Sequence, residues 1–150
     1  MPNVGDAAPS FTAQTDKGET LSLADLKGKK VVLYFYPKDE TPGCIKEACN
    51  FRDNFSAVTS KGAVVLGVSI DGVESHQGFR DHYNLPFTLL ADTNKEIVQA
   101  YGVWRERERD GVKSMATART TFVIDESGRI ARVFEGVSPD NHAQEVLAAL

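Results

Sequence analysis

The sequence predicts an α/β protein built on a mixed β-sheet with helices packed against it. Two observations carry that reading. Residues 31–36 (Val-Val-Leu-Tyr-Phe-Tyr) and 63–70 (Ala-Val-Val-Leu-Gly-Val-Ser-Ile) are short apolar, β-branched runs on either side of a stretch with helical spacing. Later, residues 120–124 and 129–134 are extended runs separated by Asp125-Glu126-Ser127-Gly128, a turn sequence. The first pattern gives parallel strands and the second an antiparallel pair.

Taken in order, Phe11, Thr12 and Ala13 face Thr20, Leu21 and Ser22 across Asp16-Lys17-Gly18-Glu19, which predicts an N-terminal hairpin. Residues 31–36 end at Pro37 and are too few for a core helix, so they read as a buried strand. Ile45, Ala48, Phe51, Phe55 and Val58 recur near helical spacing and predict one helix over 44–60. With the strand at 63–70 this makes a βαβ unit, whose crossover is right-handed. Residues 74–83 and 95–101 read as helices, with a short strand at 88–90 between them. The runs flanking 125–128 form a second hairpin. Ser138 is placed to cap a closing helix, with Pro139 at its first position. Residues 105–111 (Arg-Glu-Arg-Glu-Arg-Asp-Gly) alternate in charge and read as a solvated loop.

Bulk properties narrow the function. A chain of 150 residues, 41% of them hydrophobic, is the size of one domain and can bury a sizeable core without staples. The net charge of −4, from 17 basic and 21 acidic residues, argues against nucleic acid or an anionic membrane surface as partner. No segment approaches the roughly 20 apolar residues of a membrane helix. Residues 1–6 lack the basic start and apolar stretch of a secretory signal, so a cytoplasmic protein is expected. A reducing cytosol argues against a permanent staple between the two cysteines, which leaves catalysis, metal binding or simple burial.

The segment Pro37-Lys38-Asp39-Glu40-Thr41-Pro42-Gly43-Cys44 leaves the C-terminal end of the first buried strand and enters a helix. Open α/β sheets commonly carry their sites there. Thr41 suits the N-cap and Pro42 the first helical position. Cys44 then falls in the first turn, where open N–H groups and the positive end of the dipole favour the thiolate, the nucleophilic form. Gly43 lets a small substrate approach backbone donors closely.

Cys49 lies five positions on. In an intact helix that spacing means a rise of about 7.5 Å and a rotation of about 140°. A disulfide usually wants Cα atoms within roughly 4.4–6.8 Å. The two cysteines therefore bond only if the first turns unwind, which suits a transient bond better than a staple. Taken alone, Cys49 reads more readily as core filler than as a reactive thiol.

The whole segment resembles the peroxiredoxins, in particular the peroxiredoxin Q or bacterioferritin comigratory protein branch. The family signature Pro-x-x-x-Thr-x-x-Cys stands here as Pro37, Thr41 and Cys44, and Cys49 sits at the branch's resolving position. The likeness runs along nearly the whole chain. It includes Val4-Gly5-Asp6, Tyr34-Phe35-Tyr36-Pro37, Gly67-Val68-Ser69, Ser75-His76, Asn84-Leu85-Pro86-Phe87, Tyr101-Gly102-Val103-Trp104 and Arg119-Thr120-Thr121-Phe122.

The resemblance implies a thioredoxin-like fold with an N-terminal hairpin extension, and a peroxidase acting on hydrogen peroxide and organic hydroperoxides. It makes Cys44 the peroxidatic thiol and Cys49 the resolving one. Thr41 would hydrogen-bond peroxide and thiolate, and Arg119 would stabilise the thiolate and the developing charge. Pro37, Gly43 and the Gly43 and Cys44 N–H groups would shape the peroxide site, with Glu47 orienting the arginine. It also implies recycling by thioredoxin or a similar dithiol, no cofactor, and a monomer or dimer. Ile45 departs from the branch, which commonly has Thr there.

Other readings fit less well. A thioredoxin-like disulfide oxidoreductase would show Cys-x-x-Cys and a proline before the strand at 121–123, where this chain has Arg119-Thr120. A thiol-bearing binding or chaperone module remains as a non-enzymatic alternative. Zinc is poorly served, since Cys44, Cys49, His76, His82 and His142 show no ligand spacing. Each histidine reads as surface or helix packing.

Overall fold

The computed structural model describes residues 1–150. Its centre is a seven-stranded sheet. In chain order the strands are β1 (Thr12–Thr15), β2 (Thr20–Ser22), β3 (Lys30–Phe35), β4 (Ala63–Ser69), β5 (Thr88–Ala91), β8 (Thr120–Ile124) and β9 (Ile130–Glu135). The spatial order is β2-β1-β5-β4-β3-β8-β9. β3, β4 and β5 are parallel, while β8 and β9 on one side and β1 and β2 on the other are antiparallel. The mixed sheet and N-terminal hairpin read from the sequence are both present.

β3 explains the layering. Its side chains alternate, and both faces are buried: Val31, Leu33 and Phe35 enter one core, Val32, Tyr34 and Tyr36 the other. The second core also takes Ala48 and Phe51 from α1 (Pro42–Asp53), Val58 from α2 (Phe55–Ser60), Phe79 from α3 (Val73–Tyr83), and Ala143 and Val146 from α5 (His142–Ala148). The first takes Ile97 and Val98 from α4 (Glu96–Ala100), with Phe11 and Tyr101. A strand covered on both faces loses the strict hydrophobic alternation of a half-exposed one, which is why 31–36 reads as a continuous apolar run.

Three elements differ from expectation. The helix predicted over 44–60 is two, broken at Asn54, whose side chain turns back onto the Asn50 carbonyl at 2.8 Å and competes with the helical ladder. The closing helix begins at His142 after Asn141, so Ser138 and Pro139 lie before it. Residues 105–111 are no loop. β6 (Trp104–Arg109) and β7 (Val112–Thr117) form a separate antiparallel ribbon, turning at Asp110 and Gly111, which both have positive φ. Alternation along β6 segregates its charges, with Arg105, Arg107 and Arg109 on one face and Glu106 and Glu108 on the other.

Candidate active site

Strand register assembles the site. Phe35 pairs with Val68 on one side and with Thr120 on the other. The residue before Thr120, Arg119, is thereby brought to the end of β3, where the chain passes through Pro37 into α1. Residues 75 positions apart in the sequence become spatial neighbours. The Arg119 Nη2 donates to Cys44 Sγ at 3.2 Å, and its Nη1 to Glu47 Oε1 at 3.2 Å. One planar guanidinium thus bridges a thiol and a carboxylate that lie one helical turn apart on α1.

Cys44 and Glu47 are each 1% exposed. Burial pushes the Glu47 carboxyl up to about 7, while the charge and hydrogen bond of Arg119 pull it down. Its second oxygen, Oε2, has no hydrogen-bond partner within the protein. Gly43 makes the bridge possible, because a Cβ built there would lie 2.6 Å from Arg119 Nη2.

The start of α1 is as predicted in its proline, at the first turn, but not in its cap. Thr41 is extended at the N-cap (φ −92°, ψ 149°), yet its hydroxyl donates to the Lys38 carbonyl at 2.8 Å and accepts from no helical N–H. The first bond into the helix runs from Ile45 N–H to Thr41 carbonyl at 2.8 Å. A capping hydroxyl would have taken the N–H of Gly43 or Cys44. Turned away, it leaves both donors open beside the sulfur, where an anionic or strongly accepting oxygen fits. Pro37 and Arg119, with Arg105, Arg107, Ala116 and Thr117 of the ribbon, border a cleft of about 350 Å³.

Both cysteines are free thiols, and α1 runs unbroken through them, as expected of the reduced protein. Cys49 is half-buried and not bonded to Cys44. Burial raises its thiol above the ordinary value, with Arg52 opposing and Asp53 reinforcing the shift.

Beneath the loop before Thr41 lies a cluster that the sequence reading missed. Asp39, 5% exposed, accepts from Tyr36 Oη at 2.6 Å, Ser75 Oγ at 2.8 Å and His76 Nδ1 at 2.6 Å. Its own N–H donates to Asp71 Oδ2 at 2.8 Å, and His76 Nε2 donates to the Leu90 carbonyl at 2.8 Å. Sequence offers little signal for such a pair, since its members stand 37 residues apart and meet only in the fold. Of the other histidines, His82 is exposed beside Glu40 and His142 is buried against Thr121. No group of three or more His, Cys, Asp or Glu converges as a metal site would require.

A buried thiol at a helix start, clamped by arginine and flanked by open N–H groups on a thioredoxin-like sheet, defines a thiol-chemistry centre. Comparisons with known proteins give the family. Residues 4–133 match the AhpC/TSA family model. A Coxiella burnetii protein assigned as a peroxiredoxin bcp is 55% identical over 98% of this chain and 97% of its own length. Peroxiredoxin Bcp of Bacillus subtilis is 43% identical over 98% and 94%. Among solved structures, the Xanthomonas campestris bacterioferritin comigratory protein, described for alkyl peroxide reduction, superposes with a TM-score of 0.92 at 30% identity. That match covers 98% of this chain and 96% of the other. The chain belongs to the AhpC/TSA family, in its peroxiredoxin Q/bacterioferritin comigratory protein branch, and is a thiol-dependent peroxidase.

Proposed function

We propose that Cys44 is the peroxidatic nucleophile and Cys49 its resolving partner. The observation that carries this reading is the 3.2 Å approach of Arg119 Nη2 to Cys44 Sγ. The Cys44 thiolate attacks one peroxide oxygen, the O–O bond breaks, and the leaving oxygen departs as water or alcohol after taking a proton. Sulfur is oxidised by two electrons to the sulfenic acid. Arg119 stabilises both the thiolate and the negative charge that moves onto the leaving oxygen. The N–H groups of Gly43 and Cys44 hold the peroxide, Pro37 shields the sulfur from water, and Glu47 fixes the arginine. The Thr41 hydroxyl, now on the Lys38 carbonyl, orients the bound peroxide through its lone pairs.

The start of α1 then unwinds, and the Cys49 thiolate attacks the sulfenic sulfur, expelling hydroxide, which leaves as water, and closing a disulfide. An external dithiol reopens it by exchange, becoming oxidised itself. Thioredoxin or a relative is the reductant that family kinship supports, and hydrogen peroxide and organic hydroperoxides are the substrates. A catalytic thiol pair that must be re-reduced after every turnover supports a reducing compartment, the cytoplasm. No helix is long and apolar enough to cross a membrane. We place the whole cycle within one copy of the chain acting as one domain, since both cysteines stand on the same helix.

Stopped-flow oxidation by hydrogen peroxide, read on the single tryptophan Trp104, tests the assignment. Cys44→Ser should abolish the fast phase, and Cys49→Ser should stop at the sulfenic acid. A fast phase that survives Cys44→Ser sinks the reading.

A further inference from the structure

We propose that Asp39 and His76 are positioning residues for the peroxide reaction, a buried carboxylate–imidazolium pair that bolts the loop before α1 in place and so sets how often the start of α1 is wound. This rests on the roles of Cys44 and Cys49 given above.

The charge state of His76 follows from its partners. Nε2 faces the Leu90 carbonyl, which only accepts, so it carries a proton. Nδ1 lies 2.6 Å from Asp39 Oδ2, an oxygen that already accepts from Ser75, while Oδ1 accepts from Tyr36. The Asp39 carboxylate already accepts from two donors and offers Nδ1 only a further acceptor, so Nδ1 donates as the third, and a ring donating from both nitrogens is cationic. Burial works to lower the His76 titration, but the Asp39 hydrogen bond and charge, the Leu90 carbonyl and Asp71 together raise it above the ordinary histidine value. Both charges lie inside the protein, His76 at 0% and Asp39 at 5% exposure.

A buried ion pair contributes little to stability compared with an apolar pair of the same shape. What this one supplies is attachment. Asp39 is tied at once to the end of β3 through Tyr36, to α3 through Ser75 and His76, to β5 through His76 and Leu90, and to the segment after β4 through Asp71. Asp71 is itself fixed by Ser69 Oγ at 2.7 Å. Two residues beyond Asp39, Thr41 opens α1, and Cys44 follows three later.

The intervening Glu40 has φ +62°, a left-handed conformation uncommon for a residue with a side chain. Such a conformation persists only where its surroundings over-determine it. The Asp39 anchor on one side and helix α1 on the other provide that constraint. Disulfide closure needs the start of α1 to unwind, so release of the anchor lets Glu40 relax and shifts the balance toward the unwound form.

The test combines hydrogen exchange on the reduced protein with stopped-flow oxidation, for wild type, His76→Gln and Ile97→Ala. Ile97 is buried in the opposite core and serves as a control for general destabilisation. His76→Gln should speed exchange in residues 37–49 roughly tenfold while leaving β3 and β8 protected. It should slow the reaction with peroxide and speed disulfide closure by comparable factors, whereas Ile97→Ala changes neither. If His76→Gln fails to fold, Ser75→Ala removes one bond to the same oxygen and should move all three readouts in the same directions by less. Uniformly faster exchange, or peroxide and closure rates that stay unchanged or move in the same direction, overturns the proposal. Cys44→Ser measured alongside keeps the questions apart, since a fast phase surviving there would sink the assignment of Cys44 whatever His76→Gln does.

Discussion

The guanidinium of Arg119 lies directly over Gly43, so near that a methyl group on that glycine would stand 2.6 Å from Nη2. The obstructed atoms belong to the far end of a flexible side chain, which can swing aside. Gly43→Ala should therefore leave the fold intact, and its helical propensity gain of up to ~1 kcal/mol should hold or slightly raise the Tm. The displaced arginine loses Cys44, and the second-order rate with hydrogen peroxide should fall roughly 10²-fold. Thermal melts beside stopped-flow traces check both halves. An unchanged rate would show that Arg119 does not act through this contact.

Glu47 gives the protein a pH-dependent liability. Its carboxyl titrates near 7 in the fold, against about 4.5 for an ordinary glutamate. The folded state thus binds this proton more tightly than the unfolded one, and stability is greatest below the ordinary value. It is lost as the pH rises through about 7. Glu47→Gln should make the Tm fall less steeply than that of wild type between pH 4.5 and about 7, the range set by that titration. Parallel curves for the two proteins would refute the role of Glu47.

His76 adds a decline of its own. The groups facing it are Asp39 from the loop, Tyr36 after β3, Asp71 after β4 and the Leu90 carbonyl on β5. Because its titration is raised, its contribution is complete below about 6.5, the ordinary histidine value. It disappears as the pH climbs through the folded value. Measured in the Glu47→Gln background, stability should still fall as the pH rises above about 6.5, the ordinary histidine value, and adding His76→Gln should remove that slope.

Cys49 should be a slow nucleophile while α1 is wound. Burial raises its thiol, so little thiolate is present at neutral pH. In Cys44→Ser, alkylation of Cys49 by iodoacetamide should be slower at pH 7 than that of a free thiol, at about 8.5. Mild denaturant that unwinds the helix start should restore the ordinary rate. Mass spectrometry of the labelled peptide gives both numbers.

The central architecture was legible because its signals are local. Residues 31–36 and 63–70 carry enough β-branched bulk for fully buried strands, and Gly128, at φ +84°, closes the turn between β8 and β9. Thr41, Pro42 and Cys44 mark a helix start by spacing alone. What stayed hidden depends on distant or competing partners. Asn54 breaks the long helix through a side-chain bond that no periodicity reveals. The Thr41 hydroxyl chooses the Lys38 carbonyl over the helix, and Asp39 finds His76 only after β3, β5 and α3 have packed. The ribbon was invisible as a strand pair because water meets both of its faces, and a strand with no core side has no hydrophobic period.

That ribbon has two free edges, each offering unpaired N–H and C=O groups to any extended chain nearby. Suppose a second molecule adds its own β6 antiparallel to this one, about a two-fold axis perpendicular to the strands' common surface. Each face is then kept, so arginine falls opposite arginine and glutamate opposite glutamate in every register. Like charges directly across a ladder repel. The Arg-Glu-Arg-Glu-Arg sequence therefore carries its own defence against stacking into filaments, written into the parity of its residues and independent of the total charge of the molecule.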